Sequence, residues 1–473
     1  MTDGAHVVVG GGPAALAAAD SLGRAGAAVR LHLPDRGIGA GFRPLTIEGR
    51  HLPLGFRVLE LVVDQDHPRT PPPWSEYEPS VHGHRNWLGL LEDWFRELVG
   101  DELRELSRPE MVLDGRRGPD IYYCVDPVNA VAIATAADIG TIAREASKAA
   151  DELGAAGPFD LPEAEHWNLD FDTVSRQTHG ERFHELFIEG PARKVTADGI
   201  RDVSLALRRK PWMPLFWPST LAEAFSGATP RWRPTHRRFH DCGRTNVVDE
   251  LLARLEASAD VTIIRSGPLL RVRRSGDRTS LRFADGTEVS ATRPILAVSA
   301  EELFAAAGAE YRPERHRVVV AWVEADEADV VSTTDCLMPV DGDDPVFRIS
   351  TGGRPAEGAV LFTVELSHVV DAGAAGSVAL DGLERLGLIR PGTGRLLHAV
   401  AGPGPQRPTR TTHRQWRHAA SRFRERELRA WVLGGAGTFG ADSLNEQIAQ
   451  GLWAAELSHQ GAAPPANHEV AAI

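Results

Sequence analysis

Lysine is almost missing from this chain. All but three of its 52 basic residues are arginine, and the three lysines stand at 148, 194 and 210. No lysine after position 210 is therefore available as a catalytic base. Cysteine is equally scarce. Cys124, Cys242 and Cys336 lie far apart in no CxxC spacing, which argues against a disulfide framework or a structural zinc site. No apolar run reaches the roughly 18–20 residues of a membrane helix, so no integral membrane segment is expected. The opening MTDGAH has no basic stretch of the kind that begins a signal peptide. A reducing cytoplasm is the expected compartment. The net charge of −13 argues against nucleic acid or an anionic membrane as partner. No Gly-x-Ser-x-Gly elbow and no internal repeat are present, so a hydrolase triad has no support. What remains is an ordinary globular balance, 42% hydrophobic and 25% charged over 473 residues, long enough for two or three domains.

The distinctive stretch is HVVVGGGPAALAAAD at 6–20, followed by VRLHL at 29–33. It reads as a buried strand at 6–10, a helix at 13–26 and a second strand. Between strand and helix runs Gly10–Gly11–Gly12–Pro13–Ala14–Ala15, a Gly-x-Gly-x-x-Ala motif. Gly10 permits the tight turn, Gly12 lets backbone approach a diphosphate, and Ala15 lets the helix pack closely on the sheet. The free N–H groups and the helix dipole would hold the phosphates. The bland alternative is an ordinary βα turn. The acid that normally bonds the adenosine ribose is absent, because Leu33 closes the second strand. Asp35 stands two residues further on, as ribose ligand or as solvated turn residue.

Residues 61–240 read as mostly helical and irregular, with an amphipathic helix at 87–99 and an aromatic, proline-broken stretch at 211–225. The α/β pattern returns near 242. VTIIRSG is a strand. LLRVRR, SLRFADGTEV and RPILAVS read as a hairpin-like series turning at Asp285–Gly286. Residues 316–325 and 359–366 read as strands of a second sheet. RAWVLGGAG and SLNEQIAQGLWAAELSHQ read as a last strand and helix, and the tail 463–473 as mobile.

These segments resemble the FAD-dependent amine oxidase and phytoene desaturase superfamily. DRGIGAGFR at 35–43 is similar to the family's glycine–arginine segment. The match places Asp35, Arg36, Gly41 and Arg43 by the cofactor, with Arg43 neutralising diphosphate charge. GRHLPLGFRVL at 49–59 resembles the stretch beside the flavin ring, at Gly55, Phe56 and Arg57. VTIIRSGPLLRV resembles the central strand, with the Leu269 backbone at adenine. VLGGAGTFGADSLNEQIAQGLWAAE resembles the C-terminal flavin motif through Gly435, Ala436, Ser443, Leu444 and Asn445. Its helix would aim its positive end at the flavin C2 carbonyl and N1. The family's acid after this glycine is replaced by Ala436. Gly435, Gly437 and Gly440 also spell a second GxGxxG, but too little chain follows to complete a second dinucleotide fold.

The resemblance implies an α/β chain. A discontinuous FAD-binding Rossmann-type domain would span 1–60, 241–300 and 425–462. A second α+β substrate domain would span 61–240 and 301–424. It implies FAD as cofactor and hydride removal from an apolar or aromatic small metabolite, as by a desaturase or dehydrogenase, with no catalytic residue identified. A non-redox flavin-dependent isomerase or cyclase, and a flavin-free scaffold of the same fold, remain open. Met213, Phe216 and Trp217, with Trp212, read either as core or as the wall of a substrate tunnel. HGERFHE at 179–185 reads as a solvated helix face. VHGHRNW at 81–87 is a loop with no role assigned. HRRFHDC at 236–242 sets His236 and His240 four apart, read as a basic surface or a wall near the cofactor rather than metal ligands, so no metal is expected.

Overall fold

A computed structural model describes residues 4–63, 87–154, 163–196, 199–207, 213–230, 237–437, 439 and 443–462. Trp212, His236 and residues 64–86 and 463–473 lie outside these residues.

His6–Val9 is the middle strand of a five-stranded parallel sheet. Its order is Val261–Arg265, Val29–Leu33, His6–Val9, Ile295–Leu296, Trp431–Val432. Val8 pairs with Leu31 on one side and Ile295 on the other. The valine run suits a strand buried on both faces. Val8 packs with the helices Pro13–Arg24, Val247–Ala257 and Leu444–His459. Val7 and Val9 face the opposite layer, the helices Ala300–Ala306 and Arg410–Arg424 and a three-stranded antiparallel sheet. That sheet is Leu269–Ser275, Arg278–Phe283 and Glu288–Ala291, and Asp285–Gly286 turns between the last two. One expectation is corrected. RPILAVS does not continue this hairpin; Ile295–Leu296 crosses to the parallel sheet between His6–Val9 and Trp431–Val432.

The second sheet has seven strands. Its order is Arg395–Gln406, Arg315–Asp326, Ala359–Leu366, Val346–Thr351, Cys336–Pro339, Glu110–Leu113, Arg116–Pro119. Val319, Ala321, Ile349 and Val364 pack on one face with the helix Ala375–Arg385. Met111, Cys336, Met338 and Phe347 pack on the other, with the helical residues near 121–225. Met213, Phe216 and Trp217 belong to this core. The stretch 61–240 is less purely helical than its composition suggests. It supplies Glu110–Leu113 and Arg116–Pro119 to the second sheet, and Leu59–Val63, Arg104–Glu105 and Arg237–Asp241 form a small sheet of their own.

HGERFHE is not a solvated face. His179 and His184 are both fully buried. The helix Phe171–His179 ends at Gly180, whose φ of +84° turns the chain. Both rings then face Ser175, whose Oγ lies 3.1 Å from His179 Nδ1 and 2.9 Å from His184 Nδ1. The Phe216 N–H donates to His179 Nε2 at 2.8 Å, and Asp172 Oδ1 lies 3.0 Å from His184 Nε2. Burial holds the His179 imidazole down to about 3 and the His184 imidazole to about 4, so both are neutral at ordinary pH. Among the described residues, no group of three His, Cys, Asp or Glu side chains is placed to hold a metal ion. Among them, too, no helix is long and apolar enough to cross a membrane.

Candidate functional site

Two helix ends separated by most of the chain meet at the glycine turn. Gly10 has φ +132°, and a Cβ there would sit 2.2 Å from the Ala297 carbonyl oxygen. Only glycine allows the Ile295–Leu296 strand to approach so closely. At Gly11 the carbonyl accepts the Gly39 N–H at 2.6 Å, and Pro34 packs against the turn. Gly12 caps the helix Pro13–Arg24 with no side-chain bond, and Pro13 fills the first helical position. Among the described residues, a Cβ on Gly12 would meet only Gln447 Oε1, at 3.7 Å. An uncapped helix N-terminus with open space before it suits an anion. Pro13, Ala14 and Ala15 are buried beneath it.

Gln447 belongs to the terminal helix Leu444–His459. Gly451 of that helix lies so near the first helix that a Cβ would be 2.4 Å from Ala14 O and 3.0 Å from Ala17 Cβ and Ala18 N. Small residues on both sides, Ala14, Ala17, Ala18 and Gly451, are what let the two backbones touch. Ser443 caps the terminal helix, taking the Glu446 N–H while the Glu446 carboxylate takes the Ser443 N–H at 2.6 Å. Ser443 Oγ also donates to Asn445 Oδ1 at 2.8 Å, and Leu444 opens the helix. The Glu446 carboxylate offsets part of the dipole at this end. Gly435 and Ala436 sit in a short turn just before; its first N–H, from Gly434, donates to Gln450 Oε1 of the terminal helix at 2.7 Å.

The other expected residues fall in three places. Asp35 and Arg36 are exposed after the second strand, while Leu33 is 1% exposed. Asp35 Oδ2 lies 3.3 Å from where a Gly267 Cβ would stand. Arg43 pairs with Asp249 at 2.8 Å. The Leu269 N–H is given to Glu302 Oε1 at 2.7 Å, so an adenine there would meet an N–H already in use. Gly41 and Arg57, in separate segments, are tied directly. The Arg57 guanidinium donates to Gly41 O, and to Leu54 O at 2.7 Å, and lies 5.2 Å from the Phe42 ring centre.

The stretch Gly55–Phe56–Arg57 also rests on residues that motif reading missed. Gly55 has φ +94°, and its Cβ would lie 3.2 Å from the Glu365 carboxylate. The Phe56 N–H donates to Glu365 Oε1 at 3.0 Å. Arg348 donates to both Glu365 oxygens at 2.7 Å and also to the Tyr123 hydroxyl. Phe56 meets Tyr123 edge-on at 5.3 Å, and Phe347 and Phe239 pack nearby in the same buried core. The signal was present but faint: VFRIST and AVLFTVEL each carry one charge inside an otherwise uncharged strand. Burial disfavours the Arg348 charge, but Glu365 and Tyr123 outweigh it and keep it protonated. Burial likewise lowers Arg57, to about 10, with Glu365 opposing and Arg348 adding to the drop. Burial pushes Tyr123 up, so its hydroxyl stays protonated.

Three solved structures share this architecture over nearly the whole chain. Reduced UDP-galactopyranose mutase aligns at 16% identity and TM-score 0.69, covering 100% of this chain and 96% of its own. Putrescine oxidase bound to putrescine aligns at 15% and 0.55, covering 96% and 99%. At such low identity the likeness is one of fold. Cyclohexylamine oxidase from Brevibacterium oxydans IH-35A aligns at 14% and 0.54, covering 97% and 99%. Neither a family model nor a curated protein sequence matches the chain.

Proposed function

We propose that this chain is an FAD-dependent oxidoreductase of the desaturase or dehydrogenase kind. The observation that carries the reading is the meeting of two helix ends at Gly12. One is uncapped with open space before it, and the other brings Gln447 to 3.7 Å. The residues present fit a dinucleotide at its diphosphate. The N–H groups of the turn and first helix would hold the phosphates. Asp35 would face the ribose, and Gly55–Arg57 and Ser443–Asn445 would flank the ring. The adenine end fits less well, since Glu302 holds the Leu269 N–H. In this reading, 1–60, 241–300 and 425–462 form the cofactor domain, and 61–240 with 301–424 the substrate domain.

When bound, FAD supplies a ring that accepts hydride. The chain's own residues orient and shield. The Glu365–Arg348 pair holds the Gly55–Phe56 turn in place. Among the described residues, a lysine base is not favoured. Lys194 is buried and donates to Pro339 O and Val346 O at 2.8 and 2.9 Å, and Lys148 lies on the surface beside Glu152. That supports a desaturase or dehydrogenase over an amine oxidase.

A non-redox flavin isomerase is the second reading. The higher TM-score of the mutase, 0.69 against 0.55 and 0.54 for two oxidases, is the observation in its favour. A visible spectrum of the purified protein tests both, and release of the bound molecule identifies it. Flavin bands bleached anaerobically by substrate alone favour the oxidoreductase. Bands that respond only after added reductant favour the isomerase. A folded, colourless protein that refuses added FAD ends both readings and leaves a scaffold.

A further inference from the structure

We propose that the helix Arg410–Arg424 docks a small acidic protein, a one-electron carrier that reoxidises the flavin. The carrier's task rests on the proposed function; the docking itself does not. From 410 to 429 the chain places seven arginines against two glutamates, in a protein whose net charge is −13. Arg410, Arg414, Arg417 and Arg424 recur at spacings of four, three and seven, so they share one stripe of the helix. Arg410 pairs with Asp202 at 2.8 Å, and Arg422 with Glu425 at 3.2 Å. Arg414, Arg417, Arg424, Arg426 and Arg429 are exposed, and among the described residues no carboxylate pairs with them.

Helix stability does not call for this arrangement. The first turn after Thr409 carries no acid and begins with Arg410, where the dipole favours negative charge. Arg410 and Arg414, and Arg414 and Arg417, are like-charged neighbours four and three residues apart, which is mildly unfavourable. The dipole accounts for Arg422 and Arg424 at the far end, not for Arg414 and Arg417. Exposed charge kept against local preference, without a counter-ion, is what steering an acidic partner requires. The negative charge elsewhere on the chain repels a long polyanion or an extended anionic bilayer, whereas a small protein meets the stripe alone.

The opposite face of the same helix reaches the C-terminal motif. Trp416 and Phe423 pack with Phe304, Val432 and Ala436. Phe439 meets Trp416 and His413 edge-on at 6.0 and 5.3 Å, and it does so at φ +64°, a backbone region bulky residues rarely adopt. Arg424 borders the small cavity between Trp416, Phe423 and Gly437. A carrier on the stripe therefore stands about one helix, roughly 10–12 Å, from the turn Gly434–Gly437. Hydride taken from substrate converts FAD to its reduced anion. Return to FAD releases two electrons and one proton. Two oxidised iron–sulfur or flavin carriers, arriving in turn, take one electron each, and the proton passes to water.

The test is calorimetric titration of the full chain with two acidic carriers, a two-iron ferredoxin and a flavodoxin, and with basic cytochrome c, in about 20 and about 200 mM salt. An acidic carrier should bind in the lower salt and weaken at least about tenfold in the higher. Arg414→Gln with Arg417→Gln should weaken it about 5- to 20-fold and leave cytochrome c no weaker. Arg312→Gln with Arg390→Gln removes the same charge from other surfaces and should change it less than about twofold. The thermal midpoint of the stripe variant should not fall, because a like-charged pair is removed. If neither acidic carrier binds in low salt, or if both double variants lose binding equally, the proposal is overturned. Duplex DNA or phosphatidylserine vesicles held through Arg414 and Arg417 in place of the carriers would also overturn it, as would a dimer that the stripe variant abolishes. Flavin content, read separately from the visible spectrum, tests the proposed function. A colourless chain that holds ferredoxin through the stripe ends that function and the carrier's task, and keeps the docking surface.

Discussion

Gly10 and Gly12 stand two residues apart in one turn, yet the structure assigns them opposite sensitivities. At Gly10 an added methyl would lie 2.2 Å from Ala297 O and 2.7 Å from its carbonyl carbon, on backbone that cannot step aside. The φ of +132° adds strain for any other residue. Strain of about 1–3 kcal/mol and overpacking of about 1–3 kcal/mol together predict that Gly10→Ala loses about 2–6 kcal/mol. At Gly12 the backbone is ordinary, φ −80° and ψ 167°, and the nearest atom is a side-chain oxygen at 3.7 Å. Gly12→Val should therefore cost only about 0.5–1 kcal/mol, from a poorer helix cap. Its methyl groups, however, fill the space before the helix N-terminus. Two charge-assisted bonds to a diphosphate, at about 1.5–3 kcal/mol each, would be lost, lowering FAD affinity at least about 100-fold. Denaturation curves and the flavin-to-protein ratio after reconstitution read the two effects separately. A Gly12→Val protein with full flavin at wild-type affinity would refute the placement of the diphosphate. A Gly10→Ala protein as stable as the parent would refute the close approach of Ala297.

Three further outcomes are expected. Gly451→Ala gains up to about 1 kcal/mol of helix propensity, but its methyl would lie 2.4 Å from Ala14 O. A net loss of stability in urea denaturation is expected, and a gain would show that the two helices can separate freely. Ser175→Ala leaves Nδ1 of both buried histidines unpaired; each such group costs about 1–3 kcal/mol, so the midpoint should fall well below that of an exposed control such as Ser377→Ala. Glu324 is set by opposing effects. Burial raises its pKa, but Arg50, the Ala356 N–H and Arg395 together hold it at about 2. Its folded value is thus depressed, so its contribution is complete above the unfolded carboxylate range and is lost as pH falls from there toward 2. Glu324→Gln should flatten the acid limb of a stability-against-pH profile between about pH 4.5 and 2, and an unchanged limb would place the acid sensitivity elsewhere.

Much of the fold could be read locally. HVVVGGGP announces strand, turn and helix because its signals lie within one stretch of backbone. Val29–Leu33 and the helix beginning after Ser443 are likewise marked, by apolar alternation and by a Ser-x-x-Glu cap. Ile295–Leu296 was not legible as a parallel strand. Two residues carry no period, and their place is fixed by Val8, Val9, Trp431 and Val432, which are remote in sequence. His179 and His184 look like any polar helix face until Gly180 bends the chain and turns both inward.

The candidate site divides along the same line. The sequence by itself determined that a glycine turn opens a helix, that no lysine follows position 210, and that a Ser-x-x-Glu cap opens the helix after Ser443. These follow from backbone freedom, side-chain inventory and local capping, which need no distant partner. Only the tertiary structure decided that the first and last helices touch through Gly451, that Arg57 reaches Gly41, and that Arg348 spends its charge on Glu365. Such contacts join segments tens to hundreds of residues apart, and the neutralisation of a buried charge depends on which strand lies beside it, something no single stretch of chain encodes.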